Sequence, residues 1–133
     1  MQLFAEQLGE ILTALGDTPA ASRHGEKRSF FRIGARYRIA VRRRGTSAAT
    51  AWLRDVSAGG VGMLLSQASP PRLGTALAVE LPRKDGSVAF IACIVRNASQ
   101  FSPGTQQVGA SFLLPVAELR KLLAPTRPLA KSA

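Results

Sequence analysis

The stretch AATAWLRDVSAGGVGMLL, residues 48–65, holds two short apolar runs on either side of a glycine pair. Ala48 to Val56 reads as one strand, Gly59-Gly60 as the break, and Val61 to Leu65 as the next strand. Runs of this length bounded by turn residues suit strands and are too short for ordinary helices. Upstream, from Arg36 onward, Tyr37, Ile39 and Val41 alternate with Arg36, Arg38, Ala40 and Arg42, so one face is apolar and the other mostly basic. Gly45 to Ser47 makes a turn between the two segments. Downstream, Pro70-Pro71 and Gly74 mark a loop, Thr75 to Leu81 a strand, and Lys84-Asp85-Gly86-Ser87 a hairpin turn with an Asp-Gly signal. Val88 to Val95 and Gln107 to Leu113 complete six short strands. Even spacing with turns between predicts a mainly β fold, a small closed antiparallel barrel, with Tyr37 and Trp52 in its core.

A helix is predicted at each end of the barrel. Over residues 2–15, Phe4, Leu8, Ile11, Leu12 and Leu15 recur at spacings of three and four, and Gly16 closes the run. Gly9 weakens this helix by about 1 kcal/mol relative to Ala. The stretch 17–27, DTPAASRHGEK, is small and polar, broken by Pro19 and Gly25, and reads as a linker that makes the helix separable from the barrel. Pro115 to Ala124 forms a second helix with a stripe of Val116, Leu119, Leu122 and Leu123, stopped by Pro125. The expected division is an N-terminal amphipathic helix (1–16), a linker (17–27), a barrel with its C-terminal helix (28–124) and a flexible tail (125–133).

The chain has 133 residues, 46% of them hydrophobic, and a mean hydropathy of +0.08, which suits one globular domain and not a charged disordered tail. Its net charge of +10 is unevenly spread. Residues 1–22 carry Glu6, Glu10 and Asp17 and no Lys or Arg, a net −3; residues 23–44 carry nine Lys or Arg against Glu26, a net +8; the remainder is +5. A patch this concentrated draws anions of any kind, a small nucleotide as well as a polymer. The lone cysteine, Cys93, lies in an apolar run, so it reads as a buried small hydrophobe and implies a reducing compartment. No segment reaches the roughly 20 apolar residues of a membrane helix. The N-terminus lacks a basic signal-peptide region, so the expected location is cytoplasmic.

Two patterns 23 residues apart carry the chemistry: Arg28-Ser-Phe-Phe-Arg32 and Asp55-Val-Ser57-Ala-Gly-Gly60. With 14 arginines, chance alone supplies about 1.4 Arg-x-x-x-Arg matches, so the first pattern means little by itself. Asp/Asn-x-Ser-x-x-Gly is expected only about 0.03 times by composition, and it occurs once in full. Asp85-Gly-Ser87 and Asn97-Ala-Ser99 begin the same way but have Phe90 and Ser102 where Gly is required.

In order and spacing the pair resembles the signature of the PilZ domain family. The likeness extends over roughly residues 26–124 and includes Val108-Gly109-Ala110-Ser111-Phe112, similar to the Gly-x-x-Phe that often ends the family's last strand. It implies a six-stranded barrel with a C-terminal helix, found in bacteria, that binds cyclic dimeric GMP (cyclic di-GMP, or c-di-GMP) through Arg28, Arg32, Asp55, Ser57 and Gly60. Lys27 and Gly59 are secondary candidates. The chemistry agrees. An Arg fork matches guanine O6 and N7, Asp55 can accept from the N–H edge, and Arg and Ser57 can donate to phosphate. Gly60 allows a close backbone approach or a sharp turn. Phe30 and Phe31 are read as packing anchors of the arginine-bearing arm.

The expected behaviour is a switch. Residues 17–34 are mobile without ligand and wrap the barrel with it, repositioning the N-terminal helix and altering an unidentified protein partner. That helix's stripe could pack on the barrel or serve self-association. No cofactor, metal or catalytic group is expected: His24 is the only histidine and sits in the linker, and Glu80, Asp85 and Glu118 show no pairing. Two other readings are a basic barrel that binds nucleic acid and a ligand-free PilZ scaffold. An aromatic content of only 6% argues against the first; the presence of both arginines argues against the second.

Overall fold

Apolar residues at every second position of six strands leave each strand with one face that must be covered, and closing the sheet on itself covers all six at once. The computed structural model describes residues 2–16, 30–43 and 45–124, with residues 16 and 30–36 described by their backbone alone. In chain order the elements are α1 (Ala5–Gly16), β1 (Phe30–Arg43), β2 (Ala49–Ser57), β3 (Gly60–Ser66), β4 (Ala76–Pro82), β5 (Val88–Ser102), β6 (Thr105–Phe112) and α2 (Val116–Leu123). The strands form a closed antiparallel barrel in the order β1-β2-β3-β6-β5-β4, and β4 pairs with β1 to shut it.

The inward residues make one core, among them Ile39, Val41, Leu53, Val56, Met63, Leu81, Ile91 and Val108. Cys93 is buried there, as its apolar run predicts. Tyr37 packs against this core. Trp52 does not: it falls between buried Ala51 and Leu53 on the outward side of β2, because strand alternation decides its face whatever its hydrophobicity.

Both helices sit on this core. Leu3, Leu8 and Leu12 are fully buried, as are Leu119 and Leu123, and Leu3 and Leu8 meet Ile39, Leu53 and Leu81 at the barrel interior. Each such leucine contributes about 1.5–3 kcal/mol. The stripe of α1 is therefore covered by the barrel and α2, and in packing the helix is not separable from them. Glu6, 8% exposed, accepts the Lys84 backbone N–H on both carboxylate oxygens at 3.1 and 3.2 Å, which ties α1 to the β4–β5 turn. Arg83, from the same turn, donates to the Leu122 carbonyl at 2.7 Å, at the C-terminal end of α2 where a cation is favoured. Gly9 gains a reason here. A Cβ at this position would stand 3.1 Å from Leu123 Cβ, so the glycine lets α1 and α2 approach closely.

Two strands run further than the sequence pattern predicts. β1 begins at Phe30, not Arg36, and β5 runs to Ser102, not Val95. In both, an irregularity in the register breaks the alternation on which the reading depends: between Arg32 and Tyr37 in β1, and between Val95 and Asn97 in β5. The extension of β1 bears on the arm, since residues 30–34, expected to be mobile, are paired strand from Phe30 to Arg32. The helix-bearing end of the barrel and the lengthened strands leave one outward wall, across β2, β3, β6 and β5, for the site.

Candidate functional site

The site begins with an extra residue in β2. Leu53 pairs with Met63 and Asp55 with Gly62, so Arg54 is the added residue between them. Leu53 and Val56 point inward, and both Arg54 and Asp55 stay on the outer wall. Asp55 then lies across its neighbour on β3. A Cβ on Gly62 would be 2.6 Å from Asp55 Oδ1, so a larger residue there would push the carboxylate out of this position.

Two residues later the strand turns. Ser57 is paired with Gly60, and Ser57 Oγ accepts the Gly59 N–H at 3.3 Å and donates to the Gly60 carbonyl at 3.4 Å. The hydroxyl thus shapes the β2–β3 turn, while its long bond to Gly60 leaves it able to donate elsewhere. Gly60 has a structural role besides: a Cβ there would collide with the Ala110 carbonyl of β6, so the glycine permits β3 and β6 to meet. The space beside Gly59 is open.

The opposite side of the wall is built from β5 and β6. Asn97 lies across Gly109 as Asp55 lies across Gly62, with a Cβ on Gly109 falling 2.7 Å from Asn97 Oδ1. Arg96 Nε donates to Ser111 Oγ at 3.1 Å, and the Arg54 guanidinium stands 5.9 Å from the ring centre of Phe101. Between the two sides runs an open groove of about 420 Å³, flanked by Arg54, Asp55, Ser57, Arg96 and Asn97 and floored by Gly62 and Gly109. That volume lies in the range of small-molecule sites.

Of the residues expected to form the site, Asp55, Ser57, Gly59 and Gly60 come together on this groove. Arg32 joins them by backbone register, directly opposite Asp55 in the β1–β2 pair. Arg28 and Lys27 lie outside the described residues, and so do the side chains of Phe30, Phe31 and Arg32. Sequence pattern alone does not single out Arg54, Arg96 and Asn97. Asn97-Ala-Ser99 lacks the glycine of the full pattern, and the signal that marks it nonetheless is the preceding arginine it shares with Asp55. Among the described residues no three His, Cys, Asp or Glu side chains gather as metal ligands. Glu80, which shows no partner in the sequence, forms an ion pair with Arg42 across β1 and β4, so one arginine of the basic β1 face is already engaged.

This geometry defines a class: a small antiparallel barrel with a polar, arginine-flanked groove on its outer wall. The family model for the PilZ domain matches residues 26–124, and the chain belongs to that family. Among solved structures it is similar to the PilZ domain with c-di-GMP of YcgR from Escherichia coli, at 22% identity and a TM-score of 0.52, covering 73% of this chain and 86% of that one. No curated protein matches.

Proposed function

We propose that this chain binds cyclic di-GMP in the β2–β3 groove and acts as a receptor module. The observation that carries the reading is the convergence of Asp55, Ser57 and Gly60 on one groove, with Arg32 opposite Asp55 in the neighbouring strand. Membership of the PilZ family supports it, as does the fold shared with a domain whose structure includes c-di-GMP. Asp55 accepts from the N–H edge of a guanine; Arg32 and Arg28 supply paired donors to guanine O6/N7 and to phosphate; Ser57 Oγ donates to a phosphate oxygen.

Binding is coupled to ordering of the arm. Phe30 already pairs with Ser57, so the ordering proposed here concerns residues 17–29, which lie outside the described residues and include Arg28. Fixing each such residue costs about 1–2 kcal/mol, which ligand contacts offset. The moving arm leads back to α1 and from there to a protein partner in the bacterial cytoplasm, whose activity changes with the level of the messenger. Calorimetry with c-di-GMP on the full chain and on Arg28→Ala and Arg32→Ala tests this. Heat of binding from the wild type that both variants lose is the expected result; no heat from the wild type, or full binding by both variants, overturns it.

A further inference from the structure

The groove has an internal symmetry that the proposed ligand contacts leave unused. β3 and β6 are antiparallel with Gly62 opposite Gly109, and such a pair has a local two-fold axis between its opposed residues. Rotation about that axis carries β3 onto β6 and β2 onto β5. It takes the Leu53–Met63 pair onto the Val95–Ala110 pair, and the Asp55–Gly62 pair onto the Asn97–Gly109 pair. The added residue Arg54 goes onto the added residue Arg96. The sequence repeats in step, with Leu53-Arg54-Asp55-Val56-Ser57 matched by Val95-Arg96-Asn97-Ala98-Ser99. The side chains obey the same symmetry, since Asp55 and Asn97 each cover a glycine that no other residue could replace without displacing them.

Cyclic di-GMP has the same symmetry, two GMP units joined head to tail in a ring. We infer that Arg96 and Asn97 are the second half of the site and take the second GMP unit of the nucleotide whose first unit is held by Arg32, Asp55 and Ser57. This second half presupposes the ligand proposed above. Arg96 is prepared for a phosphate: its Nε is held by Ser111, which fixes the guanidinium plane and leaves the two terminal NH2 groups to donate. Asn97 is exposed at the groove and offers both a donor and an acceptor to a purine edge, where Asp55 offers acceptors alone. The glycine missing at Ser102 does not remove this half. In the first half Gly60 serves the turn and the β3–β6 approach, whereas β5 continues without a turn to Ser102.

Calorimetry on the full chain, with c-di-GMP as the probe, tests the inference using Arg96→Ala and Asn97→Ala. Each is expected to weaken binding about tenfold, the size of one charge-assisted or paired hydrogen bond, with the melting temperature of the unliganded protein unchanged. Asn97 is the chain's single asparagine, so its side-chain NH2 signals in a nitrogen–proton NMR spectrum are identified by their loss in Asn97→Asp. They are expected to shift when c-di-GMP is added to the wild type, a readout that requires no variant to fold. Wild-type binding with both alanine variants within twofold of it, and unmoved Asn97 signals, overturns the second half while leaving c-di-GMP as the ligand. Absence of wild-type binding overturns the ligand itself and this inference with it.

Discussion

Arg32 stands directly opposite Asp55 in the antiparallel β1–β2 ladder. Opposed residues in such a pair have Cα atoms about 4.5–5.5 Å apart, so the backbones of an arginine and an aspartate stand side by side on two strands. A guanine needs both: a fork of donors for O6 and N7, and acceptors for its N–H edge. Arg32→Ala is expected to weaken c-di-GMP binding about 100-fold, the loss of roughly 3 kcal/mol in charge-assisted hydrogen bonds. Asp55→Ala should cost about tenfold or more. Asp55→Asn should cost less, because the amide keeps one acceptor. Calorimetric affinities for the three variants check the order; Asp55→Asn binding more weakly than Asp55→Ala would contradict it.

Gly62 allows the carboxylate its position. Gly62→Ala would set a Cβ 2.6 Å from Asp55 Oδ1 and push the side chain aside, although residue 62 faces outward and the core is untouched. Binding should fall as far as in Asp55→Ala while the melting temperature moves by only about 2 °C, the size of a surface change of about 0.5 kcal/mol. The decisive comparison is a double-mutant cycle: on the Asp55→Ala background, Gly62→Ala should cost no further affinity.

The barrel is readable because its core strands keep strict alternation. Ile39 and Val41 in β1, or Leu77, Val79 and Leu81 in β4, announce the inward face by their spacing. The candidate site, with the half inferred above, is partly readable. Asp55, Ser57 and Gly60 form a pattern too rare for chance, but Asn97 and Arg96 do not, because the added residue at Arg96 shifts the phase of β5 and hides the strand's extent. Arg32 falls outside the predicted strand for a similar reason: Gly34 and Ala35 interrupt the alternation, which resumes only after them. Gly9 reads as a defect because a sequence does not show which helix packs against which; α2 is more than 100 residues away along the chain.

The link between α1 and the β4–β5 turn through Glu6 predicts a stability effect distant from the groove. Glu6→Ala strands the Lys84 backbone N–H in a part-buried place, at a cost of about 1–3 kcal/mol. The melting temperature should drop by roughly 8 °C for the middle of that range. Glu6→Gln keeps an acceptor oxygen and should lose less. Equal losses would mean that charge, and not the hydrogen bond, holds the helix.

At the α1–α2 contact, Gly9→Leu forces a side chain against Leu123 and should destabilise by about 2 kcal/mol through overpacking. Gly9→Ala sets a gain of about 1 kcal/mol in helix propensity against a Cβ 3.1 Å from Leu123 Cβ, so it should be near neutral. Thermal melting of both variants checks this. A stabilised Gly9→Leu would show that the helices do not pack at this point.

Cys93 supplies the pH prediction. Burial pushes its thiol up to about 12 from an ordinary value of 9.0, so the folded protein keeps it neutral where the unfolded chain ionises it. Below pH 9 the thiol is neutral in both states and contributes no pH dependence. Between pH 9 and 12 the unfolded state alone releases the proton, and stability falls by about 1.4 kcal/mol per pH unit. Denaturant unfolding of the wild type and of Cys93→Ala at pH 8 and pH 10 isolates this contribution, since other alkaline groups titrate in both proteins. The wild type should lose about 1.4 kcal/mol more than the variant over that interval. At pH 8 an alkylating reagent should leave Cys93 untouched in the native protein and label it after unfolding. Rapid native labelling, or equal alkaline losses in the two proteins, would mean that the thiol is not sealed inside the barrel.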